Sequence, residues 1–250
     1  MQVQHVLVTR YNIASGAADA AGIDGLDEEW LAHRDTLFRR YCVPSVARQT
    51  SRDFRWFVAF HPDTPARFFS GLDGIATVVL EPDAARAAAA IEREHLAAGV
   101  VIASKVDNDD MLAPDYIERV RIAADARLQG SAGDDFIVSA VDGLLWNTTT
   151  DEMIAFAWEA GPFLSLVEFR RNGKAWLSPL DLVHPTANTI YPEMRIRSTQ
   201  PLWTQIVHGR NIANHIHWNA VMADAQSRQA RIPVRTIPNL IRFLSRRPMR

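Results

Sequence analysis

Apolar runs separated by polar turns recur along the first half of the chain. Short runs rich in β-branched and aromatic residues are typical of buried strands. The fourth run is apolar enough to lie at the centre of a sheet. Strands are predicted at residues 3–8, 54–60, 76–80, 99–106 and 136–141.

Between these runs, apolar residues recur at the spacing of one helix face. Asp27 can cap a helix that continues to about Tyr41, and Pro44 interrupts the helical pattern before a short stretch reaches Gln49. Further helices are predicted at residues 83–98 and 115–129.

The alternation of strands and helices predicts an α/β fold with a mostly parallel central sheet and helices on both faces. In such sheets, ligands bind beyond the carboxyl ends of the strands. The acidic segment Asp107–Asp110 directly follows the fourth predicted strand, so we expect it at the ligand-binding edge. The second half of the chain is mixed and less readable.

Composition fits this interpretation. The chain has 250 residues, of which 48% are hydrophobic and 22% charged, as in an ordinary globular protein. A net charge of −2 argues against nucleic-acid binding, which calls for a basic surplus. The single cysteine, Cys42, rules out an internal disulfide framework. We expect one domain at residues 1–235, divided into two parts at about 1–130 and about 131–235.

Residues 236–250 combine apolar and basic side chains at the end of the chain. This tail is either a short helix or frayed segment, or a peripheral contact with anionic lipid or a partner. The chain lacks an apolar run long enough to span a bilayer and a signal-peptide pattern at its start. We therefore expect a cytoplasmic protein, with peripheral contact at the inner membrane surface as an alternative.

The segment Asp107-Asn108-Asp109-Asp110 carries the clearest chemistry. Carboxylates this close repel one another unless a cation lies among them, and oxygen ligands suit magnesium or manganese. A purely structural alternative is a solvated loop in which Asp110 caps the following helix. A calcium EF-hand is excluded because its glycine and distal glutamate are missing.

Residues 106–116 resemble the Asp-x-Asp-Asp signature of family-2-like glycosyltransferases with the GT-A fold. Other segments resemble a narrower group, the bacterial proteins assigned as rhamnosyltransferases, and together they cover most of the chain. These segments are residues 9–12, 30–34, 37–38, 41–46, 49, 63–65, 161–168 and 203–211.

The resemblance implies metal-dependent transfer of a sugar, such as rhamnose, from a nucleoside-diphosphate sugar to a glycan or lipid-linked acceptor. It implies that Asp107 faces the ribose or the metal, that Asp109 ligates Mn²⁺ or Mg²⁺, and that Asp110 orients its neighbours or the acceptor. His208 is the best candidate for a third metal ligand, since neutral imidazole suits manganese. Its competitors are His184, His215 and His217.

Three further side chains are candidates for binding the nucleotide. Arg10 follows the first strand, with a surface ion pair as its alternative role. Arg34 lies on an otherwise apolar helix face and could reach a phosphate or a buried carboxylate. Asp83 could contact the base or simply cap a helix. Lys105 could balance the charge of the acidic segment.

The acidic pair that is usual in family-2 enzymes is missing, so single carboxylates are the candidates for the general base. Glu168 is the first candidate, since its apolar neighbours could raise its pKa. Asp181 and Glu193 are rivals, and each of the three could be a structural carboxylate instead. The missing pair leaves the stereochemical outcome open and makes a catalytically degenerate carbohydrate- or cation-binding module the alternative function. A nucleotidyltransferase is disfavoured because no glycine-rich basic loop follows the first strand.

Overall fold

The polypeptide builds a seven-stranded sheet and a four-stranded sheet. The structure is a computed structural model that describes residues 2–14, 24–96, 99–130, 133–158, 161–170, 175–180 and 186–211. Within these ranges, no helix combines the length and apolar character needed to cross a bilayer. The predicted tail at residues 236–250 lies outside the described residues.

The predicted apolar runs form strands close to their expected bounds. The strands are β1 Val3–Arg10, β2 Arg55–Phe60, β3 Thr77–Leu80, β4 Val100–Lys105, β5 Met111–Leu112, β6 Phe136–Ala140, β7 Asp142–Asn147, β8 Glu152–Ala157, β9 Ser165–Phe169, β10 Glu193–Ile196 and β11 Trp203–Val207. The helices are α1 Glu28–Leu37, α2 Val43–Ala47, α3 Ala84–His95, α4 Tyr116–Leu128 and α5 Ala187–Ile190.

The large sheet has the strand order β10-β6-β9-β4-β1-β2-β3 and is mixed. Strands β4, β1, β2 and β3 are parallel neighbours, whereas β9 runs antiparallel to both β4 and β6. The prediction of a mostly parallel sheet is therefore wrong. Parallel neighbours require a crossover connection, but β9 follows the antiparallel β7–β8 pair of the small sheet and enters in the opposite direction.

Alternating side chains of the large sheet serve two separate cores, because successive residues of a strand point to opposite faces. Leu7 and Ile102 belong to the core that includes residues of α1, α2 and α4. Val8 and Ala103 belong to the core on the other face, with residues of α3. Helices on both faces, as predicted, keep this sheet buried.

The helical path from α1 to α2 differs from the prediction at Pro44. Asp27 caps α1 as expected, accepting a hydrogen bond from the backbone N–H of Trp30 at 2.7 Å. A π-helical turn, Phe38–Cys42, then joins α1 to α2. Pro44 does not end the path, because it lies in the first turn of α2, where a missing N–H is tolerated.

The small sheet has the order β5-β11-β7-β8. Strand β5 begins directly after the acidic segment and pairs antiparallel with β11. The segment 106–110 therefore links the large sheet, through β4, to the small sheet, through β5. We call residues 106–110 the acidic loop.

A buried histidine lies in the middle of the large sheet. His5 Nε2 is 2.8 Å from Ser104 Oγ, which is 2.6 Å from Ser165 Oγ. Among the described residues, no partner is recorded for His5 Nδ1. Burial, together with the charge of Arg121, lowers the pKa of His5 to about 3, so its ring is neutral in the folded protein.

This histidine predicts an acid-sensitive fold. The pKa of His5 is 6.5 in the unfolded chain and about 3 in the folded one. Between pH 6.5 and 3, the unfolded chain binds a proton at His5 that the folded protein does not bind. The free energy of unfolding is therefore full above pH 6.5 and decreases as the pH falls from 6.5 toward 3. At pH 5 the loss is about 2 kcal/mol in the free energy of unfolding. Urea unfolding at pH 7 and pH 5 would measure it. His5→Gln cannot take up the proton, so an equal pH dependence in the variant would contradict the assignment.

Candidate active site

The acidic loop lies where several parallel strands end. Its Asn108 donates from Nδ2 to the carbonyl oxygen of Tyr11, which follows β1, at 2.8 Å. The loop is closed by a turn in which the backbone N–H of Asp110 donates to the carbonyl of Asp107 at 3.2 Å. The prediction that this segment stands at the carboxyl edge of the sheet is confirmed by these contacts.

Asn12 organises the neighbouring loops at the same edge. Its Nδ2 donates to the carbonyl of Gly25 at 2.9 Å and lies 2.8 Å from Thr64 Oγ1. Its Oδ1 accepts from the backbone N–H of His61 at 3.0 Å. One buried amide thus ties together the segments that follow β1 and β2, a role that its position in the sequence did not reveal.

Asp109 is the most heavily contacted member of the acidic loop. Its Oδ2 accepts from Arg34 Nη1, from His208 Nε2 at 3.0 Å and from Asn211 Nδ2 at 3.4 Å. Burial alone would raise the pKa of Asp109, but Arg34 and His208 outweigh it and lower the pKa to about 2. Asp109 is therefore a carboxylate at neutral pH.

Arg34 realises one of its two predicted alternatives, the buried carboxylate. The side chain is 7% exposed and forms an ion pair with Asp109. Its Nη1 also donates to Asn108 Oδ1 at 3.3 Å, and its guanidinium carbon lies 5.1 Å from the centre of the Trp30 ring. Helix α1 thereby holds a permanent cation against the acidic loop.

Asp110 is fully buried and points away from any surface. Its Oδ1 accepts from the backbone N–H of Ile206 on β11 at 2.7 Å, and among the described residues Oδ2 has no hydrogen-bond partner. Burial, followed by the charges of Asp109 and Asp107, raises the pKa of Asp110 well above its usual range. This carboxyl orients β11; its burial leaves no surface with which it could touch an acceptor.

Asp107 is only half-buried and stands beside two cations. In the parallel pairing of β1 with β4, Val8 is the partner of Lys105. Arg10 and Asp107 each lie two positions further along and therefore on the same face. Burial lowers the pKa of Lys105; Asp107 opposes that effect and Arg10 adds to it. The three side chains thus share one electrostatic environment.

Asp83 lies at the same edge, beyond β3, but as a helix cap. Its side chain accepts from the backbone N–H of Arg86 at 2.8 Å in the first turn of α3. The adjacent Pro82 accepts from the N–H of Ala14 at 3.0 Å. The capping role is one of the two alternatives predicted from the sequence. The other, contact with the base, stays a prediction.

The predicted base candidates do not meet the acidic loop. Glu168 pairs in register with Val101, at the amino end of β4, about 13 Å along the strand from Lys105. Its carboxylate accepts from Arg170 Nη1 at 3.3 Å and from the N–H of Leu177 at 3.1 Å. The apolar neighbours of Glu168 indicated burial correctly, but the antiparallel course of β9 carries it to the wrong end of the sheet.

Glu193 is also remote from the loop. It lies on β10, which is separated from β4 by β6 and β9, about 14 Å away across the sheet, and it pairs with Arg195 at 2.8 Å. The remaining predicted residues lie outside the described ranges; these are Asp181, His184, His215 and His217.

Two of the three predicted metal ligands, Asp109 and His208, are in contact. Asp107 is not part of that contact, and within the described ranges no group of three or more histidine, cysteine or acidic side chains is arranged to hold a metal ion. Magnesium that keeps water and phosphate in its shell needs only one or two protein carboxylates. The fit of a metal therefore depends on whether Asp109 and His208 offer free lone pairs.

Two residues of this cluster were missed by the sequence reasoning. Asn211 donates from Nδ2 to the carbonyl of Ile206 at 3.1 Å and so shapes the turn after β11. His33, on α1, places its Nε2 3.2 Å from His208 Nδ1. Both residues lie within segments used for the family resemblance, but no pattern in the sequence signalled the contact of His33 with His208, 175 residues away.

The Arg34–Asp109 pair predicts a large loss of stability when one partner is removed. Arg34→Met leaves a buried carboxylate without its cation, and we expect a loss of about 3–5 kcal/mol in urea unfolding. Adding Asp109→Asn to Arg34→Met removes that charge and is expected to restore part of the loss. Arg119→Met, which breaks an ion pair with Asp115 at 2.6 Å with Arg119 40% exposed, should cost under about 1 kcal/mol. A double variant no more stable than Arg34→Met would contradict this account.

Replacing Asp110 is expected to stabilise the protein, whereas replacing Arg34 is expected to destabilise it. Its folded pKa lies above the value of 3.8 expected in the unfolded chain, so its stabilising contribution holds below pH 3.8 and is lost as the pH rises through the folded pKa. Asp110→Asn keeps an oxygen for the N–H of Ile206 but cannot ionise. We expect the variant to unfold at higher urea than the parent at pH 7, with the gap closing toward pH 4. Lower stability at pH 7 would contradict the raised pKa of Asp110, and Asp73→Asn, at an exposed position, is the control.

A known protein family matches a part of the chain that contains these site residues. The family profile described as "Putative rhamnosyl transferase" matches residues 4–219, which include β1, the acidic loop and the turn that carries His208. No curated protein matches the chain significantly. Because the match covers most of the chain, the protein belongs to this rhamnosyl transferase family.

Proposed function

We propose that this protein is a GT-A-type glycosyltransferase that moves a sugar, rhamnose or another hexose, from a nucleoside-diphosphate sugar to a glycan or lipid-linked acceptor. One observation carries the proposal: the acidic loop stands at the carboxyl edge of parallel strands and is flanked by cations on both faces of the sheet. That edge is where α/β sheets bind nucleotides.

The charges around the loop suit a diphosphate. Arg10 and Lys105 lie on the face covered by α3, and Arg34 comes from α1 on the other face. Asp107 is the half-buried carboxylate of the loop and is the member that can accept hydrogen bonds from the hydroxyl groups of a ribose. The donor nucleotide would therefore lie over the end of β1 and β4.

The acceptor would approach from the side of the small sheet. Strands β5 and β11 connect to the acidic loop through the Asp110–Ile206 hydrogen bond, so this sheet borders the position where the sugar would be transferred. Glu168 and Glu193 lie too far from the loop to act as the base there.

The distance of Glu168 and Glu193 from the acidic loop favours a second function. A carbohydrate-binding module of this fold would keep the nucleotide edge but would need no base near it. Slow hydrolysis of a nucleotide sugar in the absence of acceptor separates the two functions, because a pure binding module shows none.

The first test is a thermal-shift screen of UDP, GDP, dTDP and CDP, each with and without Mn²⁺. A ligand that binds the folded state raises the melting temperature, by the equivalent of about 2.7 kcal/mol at a hundredfold excess over its Kd. We expect one nucleoside diphosphate to raise the melting temperature. No shift with any of the four would overturn the proposed donor class.

Asp107→Asn then tests the ribose contact. We expect the Kd of the selected nucleotide to rise about tenfold, which corresponds to about 1.4 kcal/mol, the loss of one hydrogen bond to a charged group. Asp73→Asn, an exposed carboxylate before β3 at the opposite edge of the sheet, should leave the Kd unchanged. An unchanged Kd in Asp107→Asn would remove Asp107 from the binding site.

A further inference from the structure

The hydrogen bonds of His208 fix which ring nitrogen carries its proton. Nδ1 lies 3.2 Å from the backbone nitrogen of Arg210, whose N–H points at it. A backbone N–H can only donate, so Nδ1 must accept. Neutral imidazole has one N–H, and it is therefore on Nε2, which donates to Asp109 Oδ2 at 3.0 Å.

The contact of His33, from another element, is compatible with the same tautomer. Its Nε2 lies 3.2 Å from His208 Nδ1, and imidazole can donate a hydrogen bond to that acceptor. The turn itself is held by Asn211, which accepts from the N–H of His208 and donates to the carbonyl of Ile206. Rotating the ring to free Nε2 would break its contacts with Asp109, with the N–H of Arg210 and with His33 together.

A metal ion needs a bare lone pair on the histidine nitrogen that binds it, and in metal sites the other nitrogen normally donates its N–H to an acceptor. His208 has the reverse arrangement: Nδ1 faces a donor, and Nε2, the nitrogen that would bind the metal, carries the proton. The ring is thus set up as a hydrogen-bond donor to Asp109.

The oxygen of Asp109 that faces His208 is also occupied. Arg34, His208 and Asn211 all donate to Oδ2. A cation at that oxygen would have to displace Arg34, whose side chain is 7% exposed. The guanidinium would then be buried without its carboxylate, which is strongly unfavourable. Asp109 and His208 therefore do not fit a shared metal ion.

We propose that Arg34 replaces the metal ion at Asp109, with His208 as a fixed hydrogen-bond donor, and that the chain binds a nucleoside diphosphate without a divalent cation. The statement about the diphosphate rests on the proposed function, whereas the statement about Asp109 and His208 does not.

The charges at the edge suit this binding mode. Arg34 compensates Asp109, while Arg10 and Lys105 stand beside Asp107 on the other face of the sheet. Arg10 and Lys105 can meet a diphosphate directly, as arginine and lysine commonly do in phosphate sites.

The first experiment uses the unmodified protein and no nucleotide. Long-range ¹H–¹⁵N NMR spectra report the tautomer of each histidine, and Mn²⁺ broadens the signals of nuclei close to it. We expect His208 to be protonated on Nε2 and its signals to stay unbroadened with equimolar Mn²⁺. His208→Gln identifies the signal, with His95→Gln, on α3, as the matched control. A bare Nε2, or selective broadening of His208 by Mn²⁺, would overturn the proposal whatever the function of the protein.

The second experiment uses the nucleoside diphosphate selected by thermal shift. Its Kd, measured by calorimetry in EDTA and in Mn²⁺, should agree within about twofold. A tenfold or larger weakening in EDTA would overturn metal-independent binding. If no nucleotide binds while His208 is protonated on Nε2 and unaffected by Mn²⁺, then the proposed function fails and the assignment of Asp109 and His208 stands.

Discussion

The buried ion pair between Arg34 and Asp109 is the interaction on which the candidate site depends. It joins the first helix to the loop that follows the central strand β4. A buried carboxylate tolerates this environment only when a cation and hydrogen-bond donors surround it. Here Arg34, His208 and Asn211 converge on one oxygen of Asp109. Helix α1, the turn after β11 and the acidic loop, which are distant in the sequence, therefore meet at one atom.

The acidic loop solves the problem of like charges in three different ways. Asp109 stays ionised because a cation is built in beside it. Asp110 favours the neutral state because it is buried, and its other oxygen anchors β11. Asp107 is half-buried and shares an electrostatic environment with Arg10 and Lys105. The pKa values of Asp109 and Asp110 are thus shifted in opposite directions, and identical side chains acquire different roles from their surroundings alone.

Local features of the fold could be predicted from the sequence, whereas long-range pairings could not. Strands β1 to β4, the Asp27 cap and the edge position of the acidic loop follow from hydrophobic period and chain order. The antiparallel entry of β9 depends on the preceding hairpin, and it moved Glu168 away from the loop although its burial was foreseen. Arg34 could be recognised as a charge on an apolar face, but its partner could not. His33 carried no signal, because its contact joins residues far apart in the chain.

The way in which the two sheets share the chain has a consequence for how the protein can be divided. Strand β9, from the later part of the sequence, fills the gap between β4 and β6, and β11 covers β5. A fragment ending near residue 130 would expose the backbone donors and acceptors of β4 and β5, which are costly to leave unpaired in a buried setting. The parts of the chain before and after residue 130 are therefore not interchangeable modules. A chimaera that swaps one of them between relatives would have to carry its interleaved strands along with it.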